Sequence, residues 1–305
     1  MQELLRSLRR NLDAALRGRP QVTQLAAAVF LAGGHLLLED VPGVGKTTLA
    51  RALAQSVGGT VGRIQFTPDL MPADVTGVTV YQAETGEFTF RRGPVFATVV
   101  VADEINRASP KTQSALLEAM QEGQVTVDGT THALPHPFMV IATQNPHEMA
   151  GTYPLPEAQR DRFMARTQIG YPDLTEELSI LTSGGWVPPS SAAGLTLEQA
   201  AGLIDAARAQ HVSERVYYYV LDLLRATRSH PQVALGASPR AGLHLVSLAR
   251  AWSLLEGRDH VLPDDVQAIL IPGLSHRVTL RRDALLQGRL PGDVLAESLN
   301  GIAVP

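Results

Sequence analysis

The sequence predicts an α/β domain built on a parallel sheet, followed by a helical domain. In the first part of the chain, segments with helical spacing alternate with short apolar, β-branched runs such as residues 97–102 and 137–143. Apolar runs of this length, bounded by turn residues, are typical of buried parallel strands. Beyond this region the strand pattern disappears and helical spacing takes over. We therefore predict two domains, residues 1–172 and residues 173–305.

The individual elements follow from local spacing. Residues 1–16 form an amphipathic, arginine-rich segment, but Glu3 and Asp13 fit poorly with a targeting peptide, so we predict a packed leading helix. The predicted strands of the first domain are residues 36–38, 63–66, 97–102 and 137–143. The predicted helices of the second domain are residues 197–209, 216–227, 241–255 and 264–271. Residues 184–191 are rich in Pro, Ser and Gly and predict a surface loop.

Two β-hairpins are predicted within the first domain. The first joins residues 78–81 to residues 87–90 through a turn that contains Gly86, and the second joins residues 124–127 to residues 131–134 through Asp128 and Gly129. Hairpins do not belong to a minimal parallel core. They are therefore insertions, and inserted loops tend to carry function.

Composition excludes several classes of protein. The chain has 305 residues, no cysteine and a formal net charge of −4. The lack of cysteine excludes disulfides and thiol catalysis, and it leads us to expect a cytoplasmic protein. No segment approaches the roughly 20 apolar residues that a membrane helix needs, so we expect no membrane insertion. The acidic balance disfavours a broad nucleic-acid-binding surface.

The turn after the first strand has the pattern of a triphosphate-binding loop. Gly43 and Gly45 allow backbone N–H groups to turn towards phosphate oxygens, and the helix that begins near Lys46 adds the positive end of its dipole. Lys46 would reach the β- and γ-phosphates, while the Thr47 hydroxyl would bind Mg²⁺. The residues expected to bind ATP are Pro42, Gly43, Val44, Gly45, Lys46, Thr47 and Thr48.

One residue departs from the usual loop pattern, and one supports it. Asp40 occupies the position where the common pattern has its first glycine. Against this, only two of the 26 basic residues are lysines, Lys46 and Lys111. A lysine in this loop, in a chain that otherwise uses arginine, indicates a site that requires a compact ammonium group.

Polar residues that could support phosphoryl transfer follow the next strands. Asp103 and Glu104 end a buried strand, which directs Asp103 towards the metal ion and Glu104 towards the attacking water. Asn145 follows the neighbouring strand and could orient the same water. Arg160 and Arg162, on a predicted short helix, come too late in the chain to lie over their own phosphate, so one of them would serve a neighbouring subunit. Arg240 opens a helix of the second domain and could bend back to the γ-phosphate.

In this order the motifs resemble those of the AAA+ ATPases, and specifically those of the MoxR family. The resemblance covers nearly the whole chain and is carried by residues 38–47, 64–77, 103–107, 111–120, 151–159 and 236–241. It implies that Asp103 and Glu104 form the Walker B motif, Asn145 sensor 1, Arg162 the arginine finger and Arg240 sensor 2. Asp40 is ordinary in this family. Arg160 stands where the family has an apolar residue, so the choice between Arg160 and Arg162 stays open.

The resemblance also implies an architecture and an activity. The fold would be a P-loop AAA+ core, in which helices flank the parallel sheet, followed by an all-helical lid. The two hairpins would correspond to the helix-2 insert and the pre-sensor-1 hairpin. The protein would be a Mg²⁺-dependent ATPase that assembles as a homo-hexamer and remodels or matures partner proteins, either a von Willebrand factor A-domain protein or another protein client.

Two other functions fit parts of the pattern. A nucleic-acid-dependent AAA+ motor would have the same inserted hairpins, but residues 125–132 contain neither Lys nor Arg to contact phosphates. A P-loop small-molecule kinase would need an acceptor pocket that the sequence does not indicate. His132 and His136 flank a Pro-containing strand end and lack the spacing of a zinc site. Lys111 fits either a subunit interface or an exposed helix surface.

Overall fold

A computed structural model describes residues 1–41, 43–145, 151–172, 174–183 and 194–305. The loop predicted at residues 184–191 lies outside these residues. The strands are β1 (Leu36–Glu39), β2 (Val61–Gln65), β3 (Gly77–Gln82), β4 (Glu87–Arg92), β5 (Val99–Asp103), β6 (Gln124–Val127), β7 (Thr130–Ala133), β8 (Met139–Gln144), β9 (Ala165–Thr167), β10 (Val233–Leu235) and β11 (Thr279–Leu280).

The helices begin with α1 (Gln2–Ala15), the predicted leading helix. The others are α2 (Pro20–Leu31), α3 (Lys46–Ser56), α4 (Pro72–Thr76), α5 (Pro110–Glu122), α6 (Glu157–Arg160), α7 (Leu174–Ser183), α8 (Leu197–Arg208), α9 (Glu214–Ser229), α10 (Pro239–Leu255), α11 (Pro263–Leu274), α12 (Arg282–Leu286) and α13 (Pro291–Asn300). No helix in the described ranges is both long and apolar enough to cross a membrane.

A five-stranded parallel sheet forms the centre of the first domain. Its strand order is β2-β5-β8-β1-β9, and each neighbouring pair runs parallel. The carboxyl ends of parallel strands lie at the same edge of a sheet, so the loops after β1, β5 and β8 meet there. The predicted α/β core with a helical second domain is confirmed.

Alternating side chains of the strands enter two different apolar clusters. Leu36, Leu38 and Val99 belong to the larger cluster, whereas Leu37 and Val100 belong to the smaller one. The larger cluster also contains apolar residues from α1, α2 and α3 and from most helices of the second domain. The two predicted domains thus share one continuous apolar cluster, and the boundary between residues 172 and 173 stays a prediction.

Both predicted hairpins are confirmed. β3 pairs antiparallel with β4, from Gly77 opposite Arg92 to Gln82 opposite Glu87, and β6 pairs antiparallel with β7. The two hairpins touch, because the ring of Phe90 stacks on His132 with centroids 4.0 Å apart.

The second domain is helical, as predicted, but it is not all-helical. β10 and β11 form a short antiparallel pair, with Val233 opposite Leu280. These strands have three and two residues. Segments so short do not establish a period of two, which is why the sequence did not indicate them.

A buried arginine ties the two domains together. Arg277, which follows α11, places its Nε 3.0 Å from Asp161 Oδ1 and donates to the carbonyl oxygen of Phe163 over 2.6 Å. Burial lowers the pKa of Arg277 to about 10, although Asp161 opposes this shift. Ser238 Oγ donates to the other oxygen of Asp161 over 3.0 Å. Arg277 and Ser238 of the second domain therefore bind the two carboxylate oxygens of Asp161, the residue before Arg162.

The buried histidine before β1 makes folding stability depend on pH. His35 Nδ1 accepts from the Val140 N–H over 3.0 Å, Nε2 lies 3.1 Å from the Met120 carbonyl oxygen, and burial lowers the His35 pKa to about 4. Between pH 6.5 and about pH 4, unfolded chains bind a proton here and folded chains do not. His35 should therefore contribute a fall of about 3 kcal/mol in the free energy of unfolding across this window.

Urea unfolding of the nucleotide-free protein between pH 4.5 and pH 7.5 measures this dependence. His35→Gln should be less stable at pH 7 and should show a shallower loss on acidification. An equally steep loss in His35→Gln would show that other groups cause the dependence.

Candidate active site

The loop between β1 and α3 has the conformation that its glycines predict. Gly43 and Gly45 have φ values of 86° and 102°, in the left-handed region that favours glycine. α3 begins at Lys46, so its N-terminal N–H groups and its dipole face the end of the loop. Pro42 lies outside the described residues.

Most of the predicted site residues line one cleft of about 330 Å³. They are Gly43, Gly45, Lys46, Thr47, Thr48, Asp103, Glu104 and Asn145. Val44 does not line it, because its side chain is buried in the larger apolar cluster. Three residues that the sequence did not predict also line this cleft: Arg63, Gln65 and Thr143.

Lys46 is held at the start of the loop. Its Nζ donates to the carbonyl oxygen of Asp40 over 2.8 Å. Partial burial lowers the pKa of Lys46, and the charges of Asp40, Asp103 and Glu104 oppose the shift. The negative charges of three carboxylates therefore act on this ammonium group, at the point where the loop would receive a polyphosphate.

Asp103 and Glu104 are fixed by neighbouring strands. Asp103 Oδ2 lies 2.9 Å from Arg63 Nε, and Asp103 Oδ1 accepts from Thr143 Oγ1 over 3.4 Å. Thr143 Oγ1 also accepts from the Glu104 N–H over 3.0 Å. The Thr143 hydroxyl at the end of β8 therefore sets the positions of both acids.

Glu104 has an unusual backbone conformation. Its φ is 56°, in the left-handed region that non-glycine residues rarely adopt and that is often found at functional sites. Its Oε2 accepts from Gln65 Nε2 over 3.2 Å and lies 3.0 Å from Arg107 Nε. The turn after β5 thus directs this carboxylate along the edge of the sheet, towards β2.

Arg162 and Arg240 lie in a second cleft, of about 170 Å³, and do not line the first. His35 and His244 line this second cleft with them. Arg162 Nη1 donates to the Leu117 carbonyl oxygen over 2.6 Å. α6 ends at Arg160, so Arg162 follows the short helix and does not lie on it as predicted. Arg160 lines neither cleft.

Known proteins share this architecture and much of the sequence. Residues 35–165 match the family described as "ATPase family associated with various cellular activities (AAA)", and residues 225–298 match the AAA lid domain. Chaperone MoxR1 of Mycobacterium tuberculosis is 43% identical over 94% of this chain and 79% of its own length. The chain belongs to the MoxR family of AAA+ ATPases.

Two further proteins are similar to nearly the whole of this chain. YeaC of Bacillus subtilis, an uncharacterized protein, is 46% identical over 97% of this chain and 93% of its own length. The crystal structure of a protein assigned as an ATPase from Cytophaga hutchinsonii covers 100% of this chain and 96% of its own, with 33% identity and a TM-score of 0.91. This MoxR-family protein is thus a nucleotide-binding ATP hydrolase.

Asp40 has a structural role in this MoxR-family protein. Its Oδ2 accepts from the N–H groups of Ile169 and Gly170 over 2.6 and 2.8 Å, and its Oδ1 accepts from the Val41 N–H over 3.0 Å. The carboxylate therefore fastens the phosphate loop to the chain that follows β9. A glycine at this position could not make these bonds.

Substitution of Asp40 tests this role. Asp40→Gly restores the common loop pattern, yet it should lower the melting temperature in the absence of nucleotide, because a buried N–H group without an acceptor costs about 1–3 kcal/mol. Asp128→Gly is the matched control. Asp128 lies in an exposed hairpin turn with φ 50°, where glycine is preferred, so this variant should melt no lower than the wild type. Equal melting temperatures for wild type and Asp40→Gly would contradict the role of the carboxylate.

Proposed function

We propose that this ATPase binds Mg-ATP in the first cleft, hydrolyses it within a homo-hexameric ring, and uses the cycle to remodel or mature partner proteins. The observation that carries the proposal is the convergence of the phosphate loop, Asp103, Glu104 and Asn145 on one cleft, while Arg162 and Arg240 lie together in another. Because the phosphate loop and the two arginines lie in different clefts, this arrangement supports an active site formed by residues of two subunits.

The first cleft suits a triphosphate and a magnesium ion. The loop N–H groups and the start of α3 would hold phosphate oxygens, and Lys46 would leave the Asp40 carbonyl to contact them. The Thr47 hydroxyl and the Asp103 carboxylate are oxygen donors of the kind that Mg²⁺ binds beside a nucleotide. Bound there, Mg²⁺ would neutralise charge that develops on the transferred phosphoryl group.

Glu104 is proposed to take the proton from the attacking water, which Asn145 would orient. Gln65 and Arg107 contact one oxygen of the Glu104 carboxylate and fix its direction. A general base must lie within hydrogen-bond reach of the water, and the rigid turn after β5 would keep Glu104 there.

Arg162 and Arg240 are proposed to act on the nucleotide of the neighbouring subunit. The sequence suggested that Arg240 bends back to the γ-phosphate of its own chain. Because Arg240 lines the second cleft together with Arg162, we propose the neighbouring nucleotide as its target instead. Two arginines on one surface would provide the positive charge that phosphoryl transfer requires. The first cleft of one subunit would then face the second cleft of the next.

A protein client fits the inserted hairpins better than a nucleic acid does. At the tip of the β3–β4 hairpin, Tyr81 and Phe88 are 55% and 73% exposed, beside Glu84 and Glu87. Aromatic and acidic groups suit a polypeptide, whereas phosphates require basic groups. The name of the relative MoxR1 describes it as a chaperone. The family resemblance suggests a von Willebrand factor A-domain protein as one partner.

Removal of the proposed base should separate binding from hydrolysis. Glu104→Gln should bind Mg-ATP but lower turnover by about 10²- to 10⁴-fold, because the amide keeps the shape and cannot accept the proton. Lys46→Ala should lose nucleotide binding. Fluorescent-nucleotide titration and phosphate release measure the two effects. Glu118→Gln, on the exposed face of α5, is the control and should hydrolyse normally. Retention of more than about a tenth of wild-type turnover in Glu104→Gln would remove Glu104 from this role.

Mixing variants tests whether the arginines act between subunits. Arg162→Ala and Arg240→Ala should each lower turnover. For a residue that acts as an arginine finger, the loss should be about 10³- to 10⁵-fold. Each should recover activity when mixed with Lys46→Ala, since the mixture contains intact first clefts next to intact arginines. If Arg240 acted within its own chain, the Arg240→Ala mixture would not recover.

Arg160→Ala is run in parallel to decide between the two candidate fingers. Sedimentation of Glu104→Gln with ATP measures assembly, which should reach a hexamer. Co-assembly of Arg162→Ala with Lys46→Ala without recovered activity would contradict a finger at Arg162.

A further inference from the structure

Arg63 forms an ion pair with the carboxylate that is proposed to bind the metal ion. It lies on β2, the edge strand beside β5, and its register partner on β5 is Val101. Its side chain extends along the strand to Asp103, where Nε lies 2.9 Å from Oδ2. The same guanidinium lines the first cleft together with Lys46.

The two partners differ strongly in burial. The Asp103 side chain is 12% exposed, whereas the Arg63 side chain is 57% exposed. Asp103 is also fixed by the strand end and by the Thr143 hydroxyl. Ion pairs with one solvated partner stabilise a fold little, and the solvated side chain can leave at low cost. The pair is therefore poorly suited to a structural role and well suited to an exchange.

The charges in the cleft indicate what the exchange would be. Asp103 and Glu104 both line the first cleft, so an incoming polyphosphate meets two carboxylates there. Arg63 neutralises one of them, Asp103. The Asp103 carboxylate would also hold a magnesium ion that binds with the nucleotide, so Arg63 and the metal ion would compete for it.

We propose that Arg63 occupies Asp103 in place of Mg²⁺ while the site is empty, and that it releases Asp103 when Mg-ATP binds. The inference rests on the proposed function of the first cleft. It has a thermodynamic consequence. Arg63 supports the binding of metal-free ATP, since it neutralises Asp103, and it opposes the binding of the metal ion, which must displace it. Arg63 therefore reduces the factor by which Mg²⁺ increases the affinity for ATP. By reciprocity, it reduces equally the factor by which ATP increases the affinity for Mg²⁺.

The test is the affinity of a fluorescent, non-hydrolysable ATP analogue, measured once with EDTA and once with Mg²⁺. The informative quantity is the ratio of the dissociation constant in EDTA to that in Mg²⁺. In Arg63→Met this ratio should rise by about two- to fivefold, the size expected when an ion pair with a solvent-exposed partner is removed. Arg63→Lys keeps a cation within reach and should stay near the wild-type ratio. Arg91→Met, at an exposed arginine of β4, is the matched control and should not change the ratio.

The remaining outcomes also decide the proposal. If Arg63→Met weakens binding equally in EDTA and in Mg²⁺, Arg63 contacts phosphate and does not exchange with the metal ion. An unchanged or smaller ratio, whatever the affinities, likewise overturns the exchange. Arg63→Gln serves as a second neutral variant with the same expectation, and its melting curve verifies folding. Failure of the wild-type protein to bind the analogue under either condition would contradict the proposed function itself, and not only the role of Arg63.

Discussion

In a buried parallel sheet, only the two ends of the strands are accessible. The chemistry of this protein depends on the end where the carboxyl termini of the strands lie. β1, β8 and β5 are neighbours in the sheet, so the loops that follow them meet at one place. Lys46 comes from the first, Asn145 from the second and Glu104 from the third. The positions of these groups depend on hydrogen bonds between strands, and the Thr143 hydroxyl adds a bond across the strand end. The apolar clusters on both faces keep this edge rigid.

The sequence could predict the features that local pattern determines. The phosphate loop, the acids after β5 and both hairpins depend on residues close together in the chain. Arg63, Gln65 and Thr143 were missed because each acts through a strand neighbour that is distant in sequence. The three bonds of the Asp40 carboxylate explain a departure from the loop pattern, but two of them reach about 130 residues along the chain. Arg240 lies at the start of a helix, as predicted, yet the packing of the second domain decides which cleft it lines.

The separation of the two clefts gives the molecule two chemically different surfaces. One surface offers an anion-binding loop and acids, and the other offers Arg162 and Arg240. Arg162 is held by the Leu117 carbonyl oxygen, and the residue before it, Asp161, pairs with Arg277. Arg277 follows α11 of the second domain, whereas Asp161 precedes Arg162 directly. Any shift of the second domain relative to the sheet would therefore move the backbone next to Arg162. The orientation of the lid and the position of the proposed finger are mechanically connected.

The continuous apolar cluster constrains how this molecule can move and melt. Leu8 and Leu25, from the first two helices, share that cluster with Leu203 and Leu245 of the second domain. A lid that swung freely on a hinge would expose these side chains to water, at about 25 cal/mol for each Å² of apolar surface. Small sliding movements of packed helices keep them covered and are therefore favoured over wide opening. The two domains should then unfold together in a single cooperative transition, because the leading helices contribute to the apolar cluster that both domains share.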